Sequence, residues 1–227
     1  LGCLLSQKAD INIWQRDIDK NNQLTQTRKH PNLKDSNIPD NISFTSDLNT
    51  LDFNQLTILA TPSHAINEIL SQAHLRNGKF LIVSKGFDQN SGSLLSEILQ
   101  NSYGINIDDI AALSGPNHAE EINAGKASAT VIASTNESYA KELQSLFSSD
   151  IFRVYTSDDI VGVQVGGAVK NIIAIASGLC VGLNLGDNTQ AALVSRGMNE
   201  ILNLGSIYKM NNRTLYGLSG LGDLIAT

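Results

Sequence analysis

The sequence predicts an α/β fold, in which a mainly parallel sheet with flanking helices is followed by an all-helical region. Short apolar runs alternate with helical stretches up to about residue 155, an order that is typical of βαβ units. Beyond residue 160 the apolar stretches become long and helical. We therefore predict a sheet domain over residues 1–155 and a helical domain over residues 156–227.

Five short, mostly apolar runs predict the strands of the sheet. They cover residues 11–14, 56–60, 80–84, 110–113 and 129–133. The polar stretch over residues 19–41 predicts helix and loop instead, with Pro31 and Pro39 as breakers.

Apolar residues at helical spacing predict the helices that follow these strands. The first helix is expected to begin with Thr61 as its N-cap and Pro62 at its first position. Thr156 and Asp159 resemble a capping box in front of the longest helix. The other helices are predicted at residues 94–99, 139–147, 160–183 and 189–208.

Composition excludes several classes of protein. The chain has 227 residues, a formal net charge of −6 and no cluster of Lys and Arg, so it is a poor candidate for binding nucleic acid. Cys3 and Cys180 form no CxxC pair, and the four histidines lack HExxH spacing. The sequence therefore predicts neither a metal site nor a disulfide framework, and reduced cysteines indicate a cytoplasmic protein.

The apolar stretch over residues 160–183 approaches the ~20 residues that a membrane span needs. However, it contains five glycines, and Lys170 and Asn171 lie at its middle, where a charge would be costly in a bilayer. We favour a buried core helix and no membrane span. A buried ammonium needs a partner, so Lys170 is either one half of a structural ion pair or a general acid/base lysine.

Five segments of the chain carry a more specific signal. They closely resemble, in the same order, segments of the bacterial type of NAD(P)-dependent glycerol-3-phosphate dehydrogenases, and the resemblance covers essentially the whole chain. The segments are VSKG (83–86), SGPNHAEE (114–121), RVYTSDD (153–159), GGAVKNIIA (166–174) and GLSGLGDL (217–224).

The resemblance implies an oxidoreductase that interconverts sn-glycerol 3-phosphate and dihydroxyacetone phosphate and supplies phospholipid synthesis. By its match to the family's motifs, Lys170 would be the proton-transfer lysine. The other substrate-binding residues would be Lys85, Gly115, Asn117 and Asp223.

The same resemblance implies a Rossmann-like first domain that binds NAD(P). Gln15 and Arg16 would contact the adenosine end, and Arg16 follows a strand where a 2′-phosphate would lie. Lys85 and Ala119 would be further cofactor contacts. The implied partners are thus a phosphorylated small molecule and a nicotinamide cofactor, with a homodimer as one arrangement.

Alternatives stay open for each of these residues. Lys85 could be a solvated lysine at a strand end, and Gly115 could only form a turn. Arg16 could be a surface charge. Asp223 could merely neutralise Lys170, which would make the protein a non-catalytic module. Another dehydrogenase of the hydroxyacid or 6-phosphogluconate dehydrogenase-like group is the second enzymatic interpretation.

The sequence also departs from the family pattern. Val181 stands where the family usually has Asp or Glu. The family's first strand and Gly-rich turn are expected before Leu1, and its substrate-phosphate motif after Thr227. We therefore expect this chain by itself to have little or no dehydrogenase activity.

Overall fold

The computed structural model describes residues 1–33, 35–53, 55–73 and 78–227. In this part of the chain seven strands form two sheets. Strands β1 (Ile11–Trp14) and β2 (Ile42–Thr45) form a parallel pair. The other five form one sheet in the order β3-β4-β5-β6-β7, parallel except between β5 and β6. They are β3 (Leu56–Leu59), β4 (Lys79–Ile82), β5 (Ile110–Ser114), β6 (Ser128–Ala133) and β7 (Phe152–Ser157).

Helices connect the strands and then take over the chain. Six belong to the sheet region, α1 to α6. Four follow β7, and a π-helical turn over Leu218–Gly222 joins the last two. In chain order they are α1 (Gly2–Leu5), α2 (Ile18–Thr27), α3 (Ser63–Gln72), α4 (Leu95–Tyr103), α5 (Ala119–Asn123), α6 (Glu137–Phe147), α7 (Ile160–Gly182), α8 (Asp187–Tyr208), α9 (Asn212–Tyr216) and α10 (Asp223–Ala226).

The predicted fold class is confirmed, since a mainly parallel sheet precedes an all-helical region. All five predicted strands occur. Strands β2 and β7 were not predicted. Ile42 and Phe44 of β2 alternate with polar residues directly after the stretch assigned to helix and loop. The pairing of β2 with β1 and the burial of Ile42 against Leu24 of α2 define it as a strand.

Two predicted helix starts are wrong. Helix α3 begins at Ser63, and Pro62, rather than Thr61, occupies the N-cap position without a side-chain cap. Thr156 belongs to β7, whose pairing with β6 continues as far as Ser157. Asp159 is itself the N-cap of α7, where its Oδ1 accepts a hydrogen bond from the Gly162 amide at 2.8 Å. Strand pairing therefore overrides the capping box that the sequence predicted.

Both faces of the five-stranded sheet are buried, as a parallel sheet requires. Helices α3 and α4 and the first turn of α7 cover one face. Helices α1 and α6 cover the other. Alternation along β5 shows the two layers, since Ala112 packs on the first face and Leu113 on the second. The carboxyl ends of β4 and β5 meet beside α7.

Helix α7 links the sheet to the helical region. Val163 packs into the sheet core, whereas Val169 and Ile173 pack with Met198 and other residues of α8. By length and composition α7 is the one helix in the described ranges that could cross a membrane, with a mean hydropathy of 1.6. Core helices meet the same criterion, and the packing of the N-terminal half of α7 is that of a core helix.

Candidate active site

Lys170 lies in the buried half of α7, with a side chain only 4% exposed. Its Nζ donates to Asp223 Oδ1 at 2.8 Å and to the Asp223 carbonyl oxygen at 3.3 Å. It also donates to the hydroxyl of Thr227. An ammonium has three N–H groups. These three contacts therefore match its full donor capacity.

Asp223 connects the two lysines that the sequence singled out. Its Oδ1 accepts from Lys170, and its Oδ2 accepts from Lys85 Nζ at 2.5 Å. The Asp223 side chain is 1% exposed. Two ammonium groups thus share one buried carboxylate. This cluster of Lys85, Lys170 and Asp223 carries an excess of one positive charge, which would favour an anion beside it.

Glycines allow the elements around the cluster to approach one another. A Cβ at Gly166 would lie 3.1 Å from the Ser219 carbonyl oxygen, and one at Gly167 would lie 2.7 Å from Ser114 Oγ. A Cβ at Gly220 would lie 2.0 Å from the Leu215 carbonyl oxygen. A side chain at Gly166 would press α7 against the turn before Asp223, and one at Gly220 would displace that turn from Leu215 of α9. These two glycines therefore help to fix the position of Asp223 relative to Lys170.

Lys85 lies just beyond the carboxyl end of β4, where ligands bind in open α/β sheets. Its side chain is 30% exposed, in contrast to that of Lys170. Asp223 is its one ion-pair partner within the described ranges, so the Lys85 ammonium retains donor capacity for a ligand. Of the two lysines, Lys85 is the one that can reach an anion from solvent.

The end of β5 forms a second wall next to Lys85. Gly115 has a φ of +152°, and a Cβ there would lie 3.0 Å from the Thr130 Cα, so this turn requires glycine. Asn117 Nδ2 donates to Thr130 Oγ1 at 3.1 Å, and Thr130 Oγ1 donates to the Ser114 carbonyl oxygen at 2.9 Å. The Asn117 side chain is therefore held against β6 rather than against the lysines.

Ser114 is a polar residue of the site that the sequence analysis did not select. It is buried, and in the described part of the chain its Oγ has no hydrogen-bond partner. It lines a cavity of about 10 Å³ together with Lys85 and Gly167. The sequence gives no sign of this role, because Ser114 is a small residue at the end of an apolar strand.

A larger cavity, of about 310 Å³, lies at the carboxyl ends of β1 and β2 beside α3. Arg16 lines it, and Arg16 Nη2 donates to Glu68 Oε1 of α3 at 3.1 Å. Trp14 and the segment 46–49 after β2 form the other walls. We name this the strand-end cavity. Its charged side chains, Arg16 and Glu68, are mostly exposed, whereas Lys170 and Asp223 of the lysine cluster are buried.

The structure shows no contact of Gln15 or Ala119 with either centre in the described part of the chain. Gln15 is not among the described residues that line the strand-end cavity, and its backbone pairs with Thr45 and Asn21. Ala119 begins α5 and is exposed. In the described ranges no group of His, Cys, Asp and Glu could hold a metal ion.

Comparison with known proteins identifies the family. The N-terminal model of NAD-dependent glycerol-3-phosphate dehydrogenase matches residues 1–140, and the C-terminal model of the same family matches residues 159–227. The chain belongs to this family of NAD(P)-dependent oxidoreductases.

Individual relatives agree with this assignment. A glycerol-3-phosphate dehydrogenase [NAD(P)+] of Clostridium tetani is 39% identical over all of the chain and 66% of the relative. One of Clostridium botulinum is 40% identical over all of the chain and 70% of the relative. The chain therefore spans about two thirds of the length of these proteins.

Solved structures show the same fold. A glycerol-3-phosphate dehydrogenase from Coxiella burnetii superimposes with a TM-score of 0.87 at 31% identity, covering all of this chain and 70% of that one. The enzyme from Plasmodium falciparum has a TM-score of 0.88 at 23% identity over 99% of this chain and 68% of that one, which supports the fold alone.

Proposed function

We propose that the protein interconverts sn-glycerol 3-phosphate and dihydroxyacetone phosphate with NAD(P) as the hydride carrier. The observation that carries the proposal is the shared carboxylate of Asp223 between the ammonium groups of Lys170 and Lys85. A buried ammonium suits proton transfer, and the excess positive charge suits an anionic substrate. Family membership supports the choice of this substrate and this cofactor.

Lys170 is the proposed acid and base. In the reduction, its ammonium gives a proton to the oxygen at C2 of dihydroxyacetone phosphate. In the oxidation, its neutral amine takes the proton from the C2 hydroxyl of glycerol 3-phosphate. Since the described contacts occupy its three N–H groups, the substrate oxygen must replace one of the bonds to Asp223 or Thr227.

Lys85 and Asp223 are the proposed positioning groups for the substrate, together with Gly115 and Asn117. Lys85 attracts the anion from the solvent side, and Asp223 holds both lysines in place. Gly115 directly follows Ser114, which lines a small cavity together with Lys85. The side-chain amide of Asn117 donates to Thr130, and this bond holds the loop after β5 in place for the substrate.

The strand-end cavity fits the adenosine end of a nicotinamide cofactor. It lies at the carboxyl ends of parallel strands, and Arg16 offers a guanidinium to the ribose. Gln15, Arg16, Lys85 and Ala119 are the proposed cofactor contacts. When bound, the nicotinamide ring supplies the hydride in the reduction and accepts it in the oxidation.

Several wider features belong to the same proposal. We place the sheet domain at residues 1–155 and the helical substrate domain at residues 156–227. The relatives are dehydrogenases [NAD(P)+], and we infer a cytoplasmic enzyme that supplies glycerol 3-phosphate for phospholipid synthesis. A homodimer is the proposed assembly.

The test is an assay of the full-length protein with dihydroxyacetone phosphate and either NADH or NADPH. Oxidation of the reduced nicotinamide, followed by absorbance, is the expected result. Turnover of a 2-hydroxy acid or of 6-phosphogluconate instead would favour the related dehydrogenase group. Absence of turnover with every substrate would leave Lys170 and Asp223 as a structural ion pair and contradict the proposal.

A further inference from the structure

The ion pair between Arg16 and Glu68 joins the end of strand β1 to helix α3. Arg16 follows β1, at the position where an acidic residue often binds the ribose hydroxyls of NAD. In this chain the acidic group comes from α3 instead, because Glu68 Oε1 accepts from Arg16 Nη2 at 3.1 Å. A carboxylate and a guanidinium therefore stand together in the strand-end cavity.

The charges of this cavity do not favour a second phosphate. Among the described residues that line it, Arg16 is the one cation, while Glu68 and Asp47 are both acidic. The Asp47 carboxylate accepts hydrogen bonds from the backbone and side-chain amides of Asn49, which hold it in the cavity wall. The described lining thus has a net charge of −1, counted from one Arg and two acids.

The two forms of the cofactor would meet this pair differently. A ribose 2′-hydroxyl can donate to the Glu68 carboxylate and accept from Arg16 without breaking the ion pair. A 2′-phosphate would need the guanidinium for itself, which would displace Glu68 and leave its carboxylate beside a dianion. Like charges at such distances repel even in a partly solvated site.

We propose that Glu68 is a specificity-determining residue that selects NAD(H) over NADP(H) by occupying Arg16. This inference rests on the proposed function, because it assumes that the strand-end cavity receives the adenosine end of the cofactor. It assigns a role to Glu68 and a direction to the choice of cofactor. The unmodified protein binds NADH at least as tightly as NADPH.

The experiment measures the dissociation constants of NADH and NADPH by nicotinamide fluorescence, in the full-length protein and in Glu68→Gln. Glutamine keeps the size of the side chain and removes its charge. We expect the Kd for NADPH to fall about tenfold, which corresponds to about 1.4 kcal/mol. The Kd for NADH should stay within about threefold. Adding Arg16→Gln to this variant should abolish the gain.

Glu142→Gln is the matched control. Glu142 of α6 pairs with Lys79 at 2.5 Å, and both side chains are partly exposed, so the substitution removes an equivalent ion pair away from the cavity lining. It should leave both dissociation constants within about twofold. The far-ultraviolet circular dichroism of each variant verifies its fold.

Three results would overturn the inference. The first is an unchanged ratio of the two constants in Glu68→Gln. The second is tighter binding of NADPH than of NADH by the unmodified protein. Failure of the unmodified protein to bind either coenzyme would refute the proposed function as well. That outcome differs from an unchanged ratio, in which both coenzymes bind and only the role of Glu68 fails.

Discussion

Lys170 and Asp223 have side chains that are 4% and 1% exposed, whereas those of Arg16 and Glu68 are 64% and 59% exposed. Both are ion pairs with bonds of about 3 Å, but water surrounds only the second. An exposed pair contributes about 0–1 kcal/mol to stability, and either member can turn to a ligand at little cost. Removing one member of a buried pair leaves a charge without compensation, which costs about 3–5 kcal/mol.

The difference separates two tasks. The buried cluster can hold a proton donor in a fixed place, because any other arrangement of its charges is costly. The exposed pair can discriminate between ligands, because the Glu68 carboxylate stays beside any phosphate that takes the guanidinium of Arg16 and repels it. The following predictions test this division, from the largest expected effect to the smallest.

Lys170→Met should have the largest effect on catalysis. The substitution keeps most of the volume and removes the proton donor, so kcat should fall by about 10² to 10⁴. The Kd for NADH should change little, because Lys170 lies away from the strand-end cavity. Steady-state kinetics of the full-length protein measure the first quantity, and near-normal turnover would refute the assignment.

Asp223→Asn should be the most destabilising of these substitutions. It leaves two ammonium groups without their carboxylate, and Lys85 can relax into solvent more easily than Lys170 can. We expect a loss of about 3 kcal/mol in the free energy of unfolding, near the lower end of the range for a broken buried pair. Urea denaturation measures it. Glu142→Gln, at an exposed pair, should cost at most about 1 kcal/mol. Equal losses in the two variants would contradict the comparison.

Lys85→Ala should weaken recognition of the phosphorylated substrate. Loss of a hydrogen bond from a charged group predicts a decrease in kcat/KM equivalent to about 1.5–3 kcal/mol. The effect should be smaller than that of Lys170→Met on kcat, because Lys85 binds the anion and does not transfer the proton. An unchanged kcat/KM would place Lys85 outside the site.

Gly220→Ala tests the packing that positions the cluster. Its Cβ would overlap the backbone carbonyl of Leu215, which cannot rotate away, so we expect destabilisation by about 1–3 kcal/mol from overpacking. Gly178→Ala, in α7, is the control because a Cβ there would meet no neighbouring element within 4 Å in the described part of the chain. It should stabilise the helix by about 0.5–1 kcal/mol. Thermal unfolding of both variants of this chain measures the change in stability. Changes of opposite sign support the account, and changes of the same sign contradict it.

The sequence predicted the buried cluster better than the exposed pair. Lys170 was conspicuous as the lone charge in an apolar helix, and the strand before Lys85 was evident from its apolar run. By contrast, Glu68 is one of several polar residues of α3, and nothing in the sequence pairs it with Arg16. Helical periodicity reveals which face of α3 is apolar, but not which strand end its polar face meets.

Other features depended on tertiary contacts that no local pattern contains. The antiparallel pairing of β5 with β6 cannot be inferred from two apolar runs. Likewise, the extension of β7 through Ser157 follows from its partner β6 and displaced the predicted capping box. Similarly, only the packing of α7 at Gly167 against the Ser114 hydroxyl places Ser114 in the site, and no local pattern predicts that contact.

The most direct test of the central claim is a single-turnover measurement of hydride transfer. Full-length protein and its Lys170→Met variant are studied separately. Each is first bound to NADH and then mixed rapidly with saturating dihydroxyacetone phosphate, and the loss of nicotinamide fluorescence is followed. If the buried ammonium donates the proton, the variant should transfer hydride at least about 100-fold more slowly while binding NADH with an unchanged Kd. A transfer rate within about tenfold of the unmodified protein, a difference of only about 1.4 kcal/mol, would show that the cluster serves structure and not chemistry.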